Sequence, residues 1–595
     1  MRIFKLSSEP FCAIEVLPIL RSGFTMLLAR RTLLCSLFAL AACASDQTGA
    51  GDTGLDSVGD TSADTSFQTW TDTSLDTTVD TSTDAASDAA ADTAVDAADD
   101  SSADTATDAA NDTSADTAVD AADTTLEPDT TPPPPRPCLS WLECDSGQGC
   151  AAGFCGGCTE GADCPDLLGC TVDAICGACS ADSQCRSGEG CVEGVCLATT
   201  ISEVRITVAP ADYRTLRDDR YNSALKVPCT VSADGVNYTG PTTLAIHGGS
   251  SRDLPKLSFA VETASAIHPG YAEKMVLRAE YNDASSLRNM LGLEFFRRST
   301  SLPTSRTRFR RLYINDAFYG LMVEAERVGA NFLELRGRDS RASMYESEPA
   351  NAIAGTGAGA LVPIDDSTIY ALAYSQKTGS VASLADVIYF IEEILAPDYA
   401  EGQITGNFLN RTRRQLHLEG YIDYLATNAV LQNLDHVRKN FYFSRQMVGG
   451  RLAWEFYPWD VDLTQGCLWN DALDNSICID PVYDIPSNTG AMGPGSGLAY
   501  PTDGFYNLLM HNVQADEFGG AEAYRAEICA RSSSRLYTDE IPALARTLGA
   551  YIRPALVEDT SDRNATAADH ASAVEEVVGF YAERAAFLMG ELGCP

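Results

Sequence analysis

The sequence predicts an α+β protein, and three observations carry that prediction. Short β-branched runs follow one another at VRITVA (204–209), KVPCTVS (226–232), TTLAIHG (242–248) and KLSFAVE (256–262). Helical periodicity appears at 284–298 and, over a longer span, at 411–433. Most of the apolar content that could form a large core lies in residues 200–595, and the 595-residue length leaves room for three or four units in all.

The formal net charge is −41, from 83 acidic and 42 basic residues. A nucleic-acid partner needs a basic face for phosphates, so none is expected. The same charge disfavours electrostatic binding to an anionic membrane.

Residues 1–42 read as a signal-peptide region, with Met26 an alternative start. Arg30 and Arg31 precede an apolar run, Leu33 to Ala42, too short to span a bilayer but long enough for a signal core. It ends in Leu40-Ala41-Ala42-Cys43, which resembles the bacterial lipobox. The resemblance implies that Cys43 is lipidated and becomes the mature N-terminus. Ala44 follows it rather than Asp, so outer-membrane or surface anchoring in the cell envelope is expected.

Residues 43–137 form an acidic linker. Between Asp46 and Thr130 there are 22 acidic residues and no Lys or Arg, with Asp recurring every fourth position for long stretches. Like charges at i,i+4 repel, and the Thr and Ser fillers are poor helix formers. The segment therefore reads as a disordered, self-repelling spacer, closed by the stiff PPPPRP at 132–137.

Residues 138–197 are a cysteine cassette. Twelve of the 20 cysteines recur here in three units, starting at Cys138, Cys158 and Cys179. A segment so poor in apolar residues needs cross-links. Zinc is one possibility, since Cys155-x2-Cys158 and Cys176-x2-Cys179 have ligand spacing. Export favours disulfides, with three pairings open in each unit. The cassette reads as a rigid stalk, with a binding module as the alternative.

In the body, residues 200–595, Asp283 is placed to cap the helix at 284–298. Leu287, Leu291, Glu294 and Phe295 fall on one face of it, which turns Glu294 inward. A buried carboxylate needs a partner, and Lys256 on the preceding strand is the candidate. RFRRLYIN (308–315) and FYGLMVE (318–324) predict a hairpin about Asp316-Ala317.

The helical pattern at 411–433 runs into Asn433-Leu434-Asp435-His436, and Asp435 and Asn440 are spaced D-x4-N. NFYFSRQM and RLAWEFY then form a second hairpin that delivers Trp459-Asp460-Val461-Asp462. Phosphoryl transfer needs a carboxylate to orient the attacking hydroxyl, oxygen ligands for magnesium and a cation on the phosphates. Protein kinases meet these needs in the order seen here: D-x4-N, hairpin, metal-binding Asp. A two-lobe, kinase-like arrangement is therefore expected.

The stretches GGSSR…PK (248–256), YNDASSLRN (281–289), INDAFYGLMVEAE (314–326) and NLDHVRKNFYF…WEFYPWDVD (433–462) resemble the spore-coat-protein-H (CotH-like) kinase family over about 203–590. The resemblance implies an atypical kinase that transfers phosphate from ATP, with Mg2+, to Ser or Thr of secreted, surface or coat proteins. It implies Asp435 as the catalytic aspartate and Asn440 and Asp460 as metal ligands, with Asp462 a second candidate. Lys256 would contact the phosphates and Glu294 support it. The loop Gly248, Gly249, Ser250, Ser251, Arg252 would cover the nucleotide, and Glu324–Arg327, including Glu326, would be the hinge. The chain departs from kinases in lacking G-x-G-x-x-G and D-F-G. A surface adhesin or structural coat protein that keeps the fold without catalysis is the alternative.

Five cysteines lie in the body. Cys467–Cys478 and Cys529–Cys594 are the expected pairs, which leaves Cys229 over. No G-x-S-x-G or Cys–His spacing supports a hydrolase.

Overall fold

The computed structural model describes residues 138–595, apart from short gaps at 139, 145–146, 265–273, 348–358, 365–366, 382, 397–398, 401–402, 405–407, 434–435, 437–438 and 560–565. Within 469–519 only 477–478, 509–510 and 513 are described. The expected signal region, Cys43 and the acidic linker lie outside the described residues.

The cassette forms three similar units, each a short 3-10 turn followed by a two-stranded hairpin. The sulfurs pair first with third and second with fourth: Cys138–Cys150 and Cys144–Cys155, then Cys158–Cys170 and Cys164–Cys176, then Cys179–Cys191 and Cys185–Cys196. This selects one of the three open pairings and consumes the thiolates that zinc would need. The cassette is not a free-standing stalk. Val195 and Leu197 of the third unit belong to the main hydrophobic core of the body. Arg297 donates to the Asp166 carbonyl at 3.2 Å and lies over the Trp141 ring.

The body opens with eight strands: β1 (Glu203–Val208), β2 (Val227–Ala233), β3 (Val236–Asn237), β4 (Thr242–His247), β5 (Ser258–Thr263), β6 (Lys274–Arg278), β7 (Thr307–Ile314) and β8 (Ala317–Ala325). Their order is β4-β5-β6-β8-β7-β1-β2-β3, antiparallel except for the parallel β7–β1 pair. A further pairing of Leu244 with Val227 bends the sheet back on itself. Alternate residues such as Val204, Ile206, Leu244, Phe259, Leu277 and Met322 fill the core this creates. The predicted β7–β8 hairpin forms, with Asn315 and Asp316 both at positive φ, as a two-residue primed turn requires. In this region the sequence reading missed three elements, helix α1 (Pro210–Asp218) and strands β3 and β6. The β6 run KMVLR is five residues long and does not alternate.

Helix α2 (Arg288–Ser299) joins β6 to β7 and starts four residues later than the periodicity suggests. The Asp283 carboxylate still caps it, accepting from the Leu287 and Arg288 amides at 2.7 and 2.8 Å. Arg297 and Arg298 in its last turn complement the helix dipole.

The second part carries an antiparallel sheet ordered β10-β9-β11-β12, from β9 (Met344–Ser347), β10 (Tyr374–Thr378), β11 (Phe441–Val448) and β12 (Arg451–Pro458). The predicted helix at 411–433 is two, Phe408–Gln415 and α3 (Leu418–Leu431), parted at Leu416-His417. Helices α4 (Gly520–Ser532), α5 (Ile541–Glu558) and α6 (Ala567–Leu592) complete the body. Trp454, Phe443, Phe456 and Tyr421 pack as an aromatic cluster between α3 and the sheet. The Cys529–Cys594 disulfide ties α4 to the segment after α6, as expected. Cys229 is a free thiol, and the backbones of Cys467 and Cys478 stand opposite one another in a short ladder. Both parts mix helix and sheet, as the α+β prediction requires.

Candidate functional site

The β11–β12 hairpin brings two of the predicted metal ligands together. Asn440 precedes β11 and Asp460 follows β12, so antiparallel pairing sets them side by side. The Trp459 amide donates to the Asn440 carbonyl at 3.2 Å, and the Asn440 side-chain amide reaches the Asp460 carbonyl at 3.4 Å. Both residues hold positive φ, 64° for Asn440 and 53° for Asp460. Asn and Asp tolerate that conformation better than other side chains, and backbone strain of this kind concentrates at functional sites.

Beside them stands a residue that sequence reasoning missed. Arg278, the last of β6, is largely buried and puts one guanidinium nitrogen on both aspartates: Asp460 Oδ1 in close contact, and Asp462 Oδ2 at 3.0 Å. Its Nε donates to Glu280 Oε1 at 2.9 Å. Asn289, in the first turn of α2, donates to the same Glu280 oxygen at 2.9 Å and accepts from the Val461 amide at 3.3 Å. Gly292, one turn on, lies against Val461, where a Cβ would come within 2.7 Å of its side chain. Helix α2 thus grips the Asp460–Asp462 turn directly. An arginine closing an apolar run was the available signal, and it was lost with the unrecognised strand.

Electrostatics follow from this packing. Burial raises the Asp460 carboxyl, but the Arg278 charge, with Lys439 nearby, outweighs it and holds the group below the usual carboxylate range. Burial pushes Glu280 up. It also pushes His247, at the end of β4, down to about 3, helped by the Arg278 charge, so the imidazole is neutral. The donor set suits a hard divalent cation. Two aspartates and an asparagine can supply oxygen, and Asp460 Oδ1 is held by Arg278.

Other predicted residues stand elsewhere. Lys256 does not pair with Glu294. Its ammonium is buried against Asp559 Oδ2 at 2.7 Å and the Leu321 carbonyl at 2.8 Å, because the chain leaving α5 passes under the β7–β8 hairpin. Glu294 is inward-facing as predicted, but its partners are Arg297 and Arg298 of its own helix, which override the upward push of burial and lower its carboxyl. Glu326 is buried and braced by Arg306 and Arg336, so its side chain works as a strut at the end of β8. In the 248–252 loop, Gly248 takes φ +99°, and a Cβ there would meet Ser251 Oγ at 2.0 Å. Arg252 staples the loop, donating to the Gly248 carbonyl at 2.5 Å and the Ile246 carbonyl at 2.8 Å. Gly249 and Ser251 lie in the same turn between β4 and β5, and Ser250 begins its short 3-10 segment. Asp435 lies outside the described residues. Its neighbour His436 is buried, with Nδ1 2.8 Å from the Asn433 carbonyl.

The body's sequence places it in a known class. Residues 244–588 match the family model described as CotH kinase protein, more than half of the chain, and the protein belongs to that family. It is also similar to the inner spore coat protein H of Bacillus subtilis (strain 168), 25% identical over 266 residues, which cover 44% of this chain and 68% of the relative.

Proposed function

We propose that the chain is an atypical, kinase-like phosphotransferase that moves the γ-phosphate of ATP to Ser or Thr hydroxyls of surface or coat proteins. Asn440 and Asp460, paired at the base of one hairpin with Asp462 beside them, carry this reading. The turn between the first two strands of the β4–β8 set, a cation on the third strand and a helix after it follow the order of a kinase N-terminal lobe, which supports a two-lobe description. In this reading Asp460, Asp462 and Asn440 hold magnesium, and Asp435 orients the acceptor hydroxyl. Magnesium bound there offsets charge on the phosphates. The chain's own part is to fix the turn through Asn289 and Gly292.

We place the protein in the cell envelope, anchored through Cys43, with the acidic linker holding the body away from the membrane. The lipobox-like LAAC and the composition of residues 43–137 support that placement. The relative's name, a spore coat protein, supports a surface substrate. One observation favours the second reading, a non-catalytic adhesin or coat protein: Arg278 sits between the two aspartates, where a cation would otherwise be.

The test is phosphate transfer from labelled ATP with magnesium by the purified chain. Asp435→Asn should lose on the order of 10²-fold or more in rate, the scale of a positioned acid–base group, while keeping nucleotide affinity. No transfer by the wild type, to itself or to envelope proteins, favours the adhesin.

A further inference from the structure

We propose that the cleft between the cysteine cassette and the C-terminal end of α2 docks an acidic segment of the acceptor protein. As a substrate-docking site it rests on the phosphotransferase reading above, whereas its capacity to bind peptide rests on its own walls. The cleft has a volume of about 390 Å³, within the range of ligand-binding clefts. One wall is the first cassette unit, with Trp141 and Leu142. Another is the end of α2 and the loop after it, with Arg297 and Ser301. Arg336, Arg338 and His417 also line it, and the tip of the β11–β12 hairpin borders it with Met447 exposed.

Charge and residue type identify the occupant. Three guanidiniums line the cleft against one carboxylate, Glu143. Each guanidinium has an internal partner: Glu294 for Arg297, Glu326 for Arg336 and Glu455 for Arg338. Glu294 also serves Arg298, and Glu326 also serves Arg306, so the wall keeps positive charge in a chain of net charge −41. Carboxylates are its complement. Trp141 lies beside Arg297 and Arg186 and adds an aromatic surface. Trp, Arg and Met are enriched at protein interfaces, and Trp and Arg dominate their energetic hot spots. A peptide that mixes acidic and apolar side chains meets both kinds of wall. The chain's own acidic linker fits less well, because the stiff PPPPRP separates its last carboxylate, Asp129, from Cys138.

The same two elements connect the cleft to the Asp460–Asp462 turn. Asn289 of α2 accepts from the Val461 amide, and Arg297 lies further along that helix in the cleft. The β11–β12 hairpin has Asn440 and Asp460 at its base and Met447–Gly449 at its tip. At ~1.5 Å per helical residue and ~3.3 Å per strand residue, the cleft lies roughly 12–23 Å from the turn. An extended peptide covers that distance in about four to seven residues, the expected spacing between the docked carboxylate and the acceptor Ser or Thr.

The experiment is a fluorescence-anisotropy titration of the full chain and its variants, without nucleotide, using a labelled peptide of alternating Glu and Leu, with a thermal melt of each protein. The wild type should bind this peptide, and less tightly as salt is raised. A peptide with Lys in place of Glu should bind about 10-fold or more weakly. Met447→Glu and Ser301→Glu each place a like charge at an exposed position of the cleft and should weaken the Glu–Leu peptide about 5-fold or more. Val236→Glu, exposed on β3, should leave its affinity unchanged. No binding by the wild type, or wild-type affinity in folded Met447→Glu and Ser301→Glu, overturns the proposal and leaves the phosphotransferase reading standing. Displacement of the labelled peptide by the free linker segment 43–137 at lower concentrations than by the unlabelled Glu–Leu peptide makes the chain its own occupant and also overturns it. Peptide binding that follows the expected pattern, in a chain that transfers no phosphate, removes the reading and keeps the cleft as a peptide site.

Discussion

Lys256 and Asp559 form a fully buried ion pair, 2.7 Å apart, across 303 residues of sequence. Asp559 Oδ2 also accepts from the Leu321 amide at 3.2 Å, so one carboxylate joins the segment leading into β5, strand β8 and the end of α5. Removing one member of such a pair leaves the other charge buried without its counter-charge. Lys256→Met and Asp559→Asn should each cost about 3–5 kcal/mol. The double variant should cost less than the sum, because no stranded charge remains. Denaturant unfolding of the four proteins measures this.

Gly320 makes the same lock possible. Its φ is +148°, and a Cβ would fall 2.0 Å from Asp559 Oδ2. Gly320→Ala should lower the melting temperature. The loss should shrink when Asp559 is first replaced by Ala, leaving only the backbone strain. An equal loss in both backgrounds means that the collision with Asp559 is unimportant.

The cassette should behave as part of the body. Opening the third unit with Cys179→Ser and Cys191→Ser removes a cross-link worth roughly 3 kcal/mol for a loop this short and frees Val195 and Leu197 from the core. Hydrogen exchange in α2 should quicken, since Met290 and Phe295 share that core. Exchange in β4 and β5, which face the other core, should not change.

Acid should loosen the cassette contact in a defined window. Asp166 pairs with Arg186. Burial raises its carboxyl, but Arg186, Arg306 and Arg308 together draw it down to about 2 from 3.8. A folded value below the unfolded one stabilises at pH above 3.8, and that contribution disappears as pH falls through about 2. The stability gap between wild type and Asp166→Asn should be constant from neutral pH down to about 5. It should close as the solution is acidified past the folded value. A gap that persists at lower pH means Asp166 acts through packing alone.

Much of this was legible before the fold was known. Strands with alternating or β-branched runs, both hairpins and the adjacency of Asn440 to Asp460 follow from local pattern, because antiparallel pairing fixes register. The cysteine spacing was legible too, but its pairing was not, since sulfur partners depend on how each hairpin folds back. Lys256 and Glu294 failed for one reason. Burial predicts that a charge has a partner but cannot say which. Asp559 is 303 residues from Lys256, and the arginines of Glu294 are only three and four residues away. Arg278 was hidden because β6 is short and its three central residues, Met275 to Leu277, are all apolar, with no alternation to mark a strand.

The most direct test is equilibrium binding of Mg-ATP to the wild type and to Asp460→Ala, each shown by melting to be folded. Asp460 stands at the centre of the site, in contact with Arg278 and beside Asn440. The wild type should bind Mg-ATP, and Asp460→Ala should bind it at least 10-fold more weakly, on the order of 1.4 kcal/mol or more. Equal affinity in the two proteins, or no binding by either at millimolar nucleotide, contradicts the account.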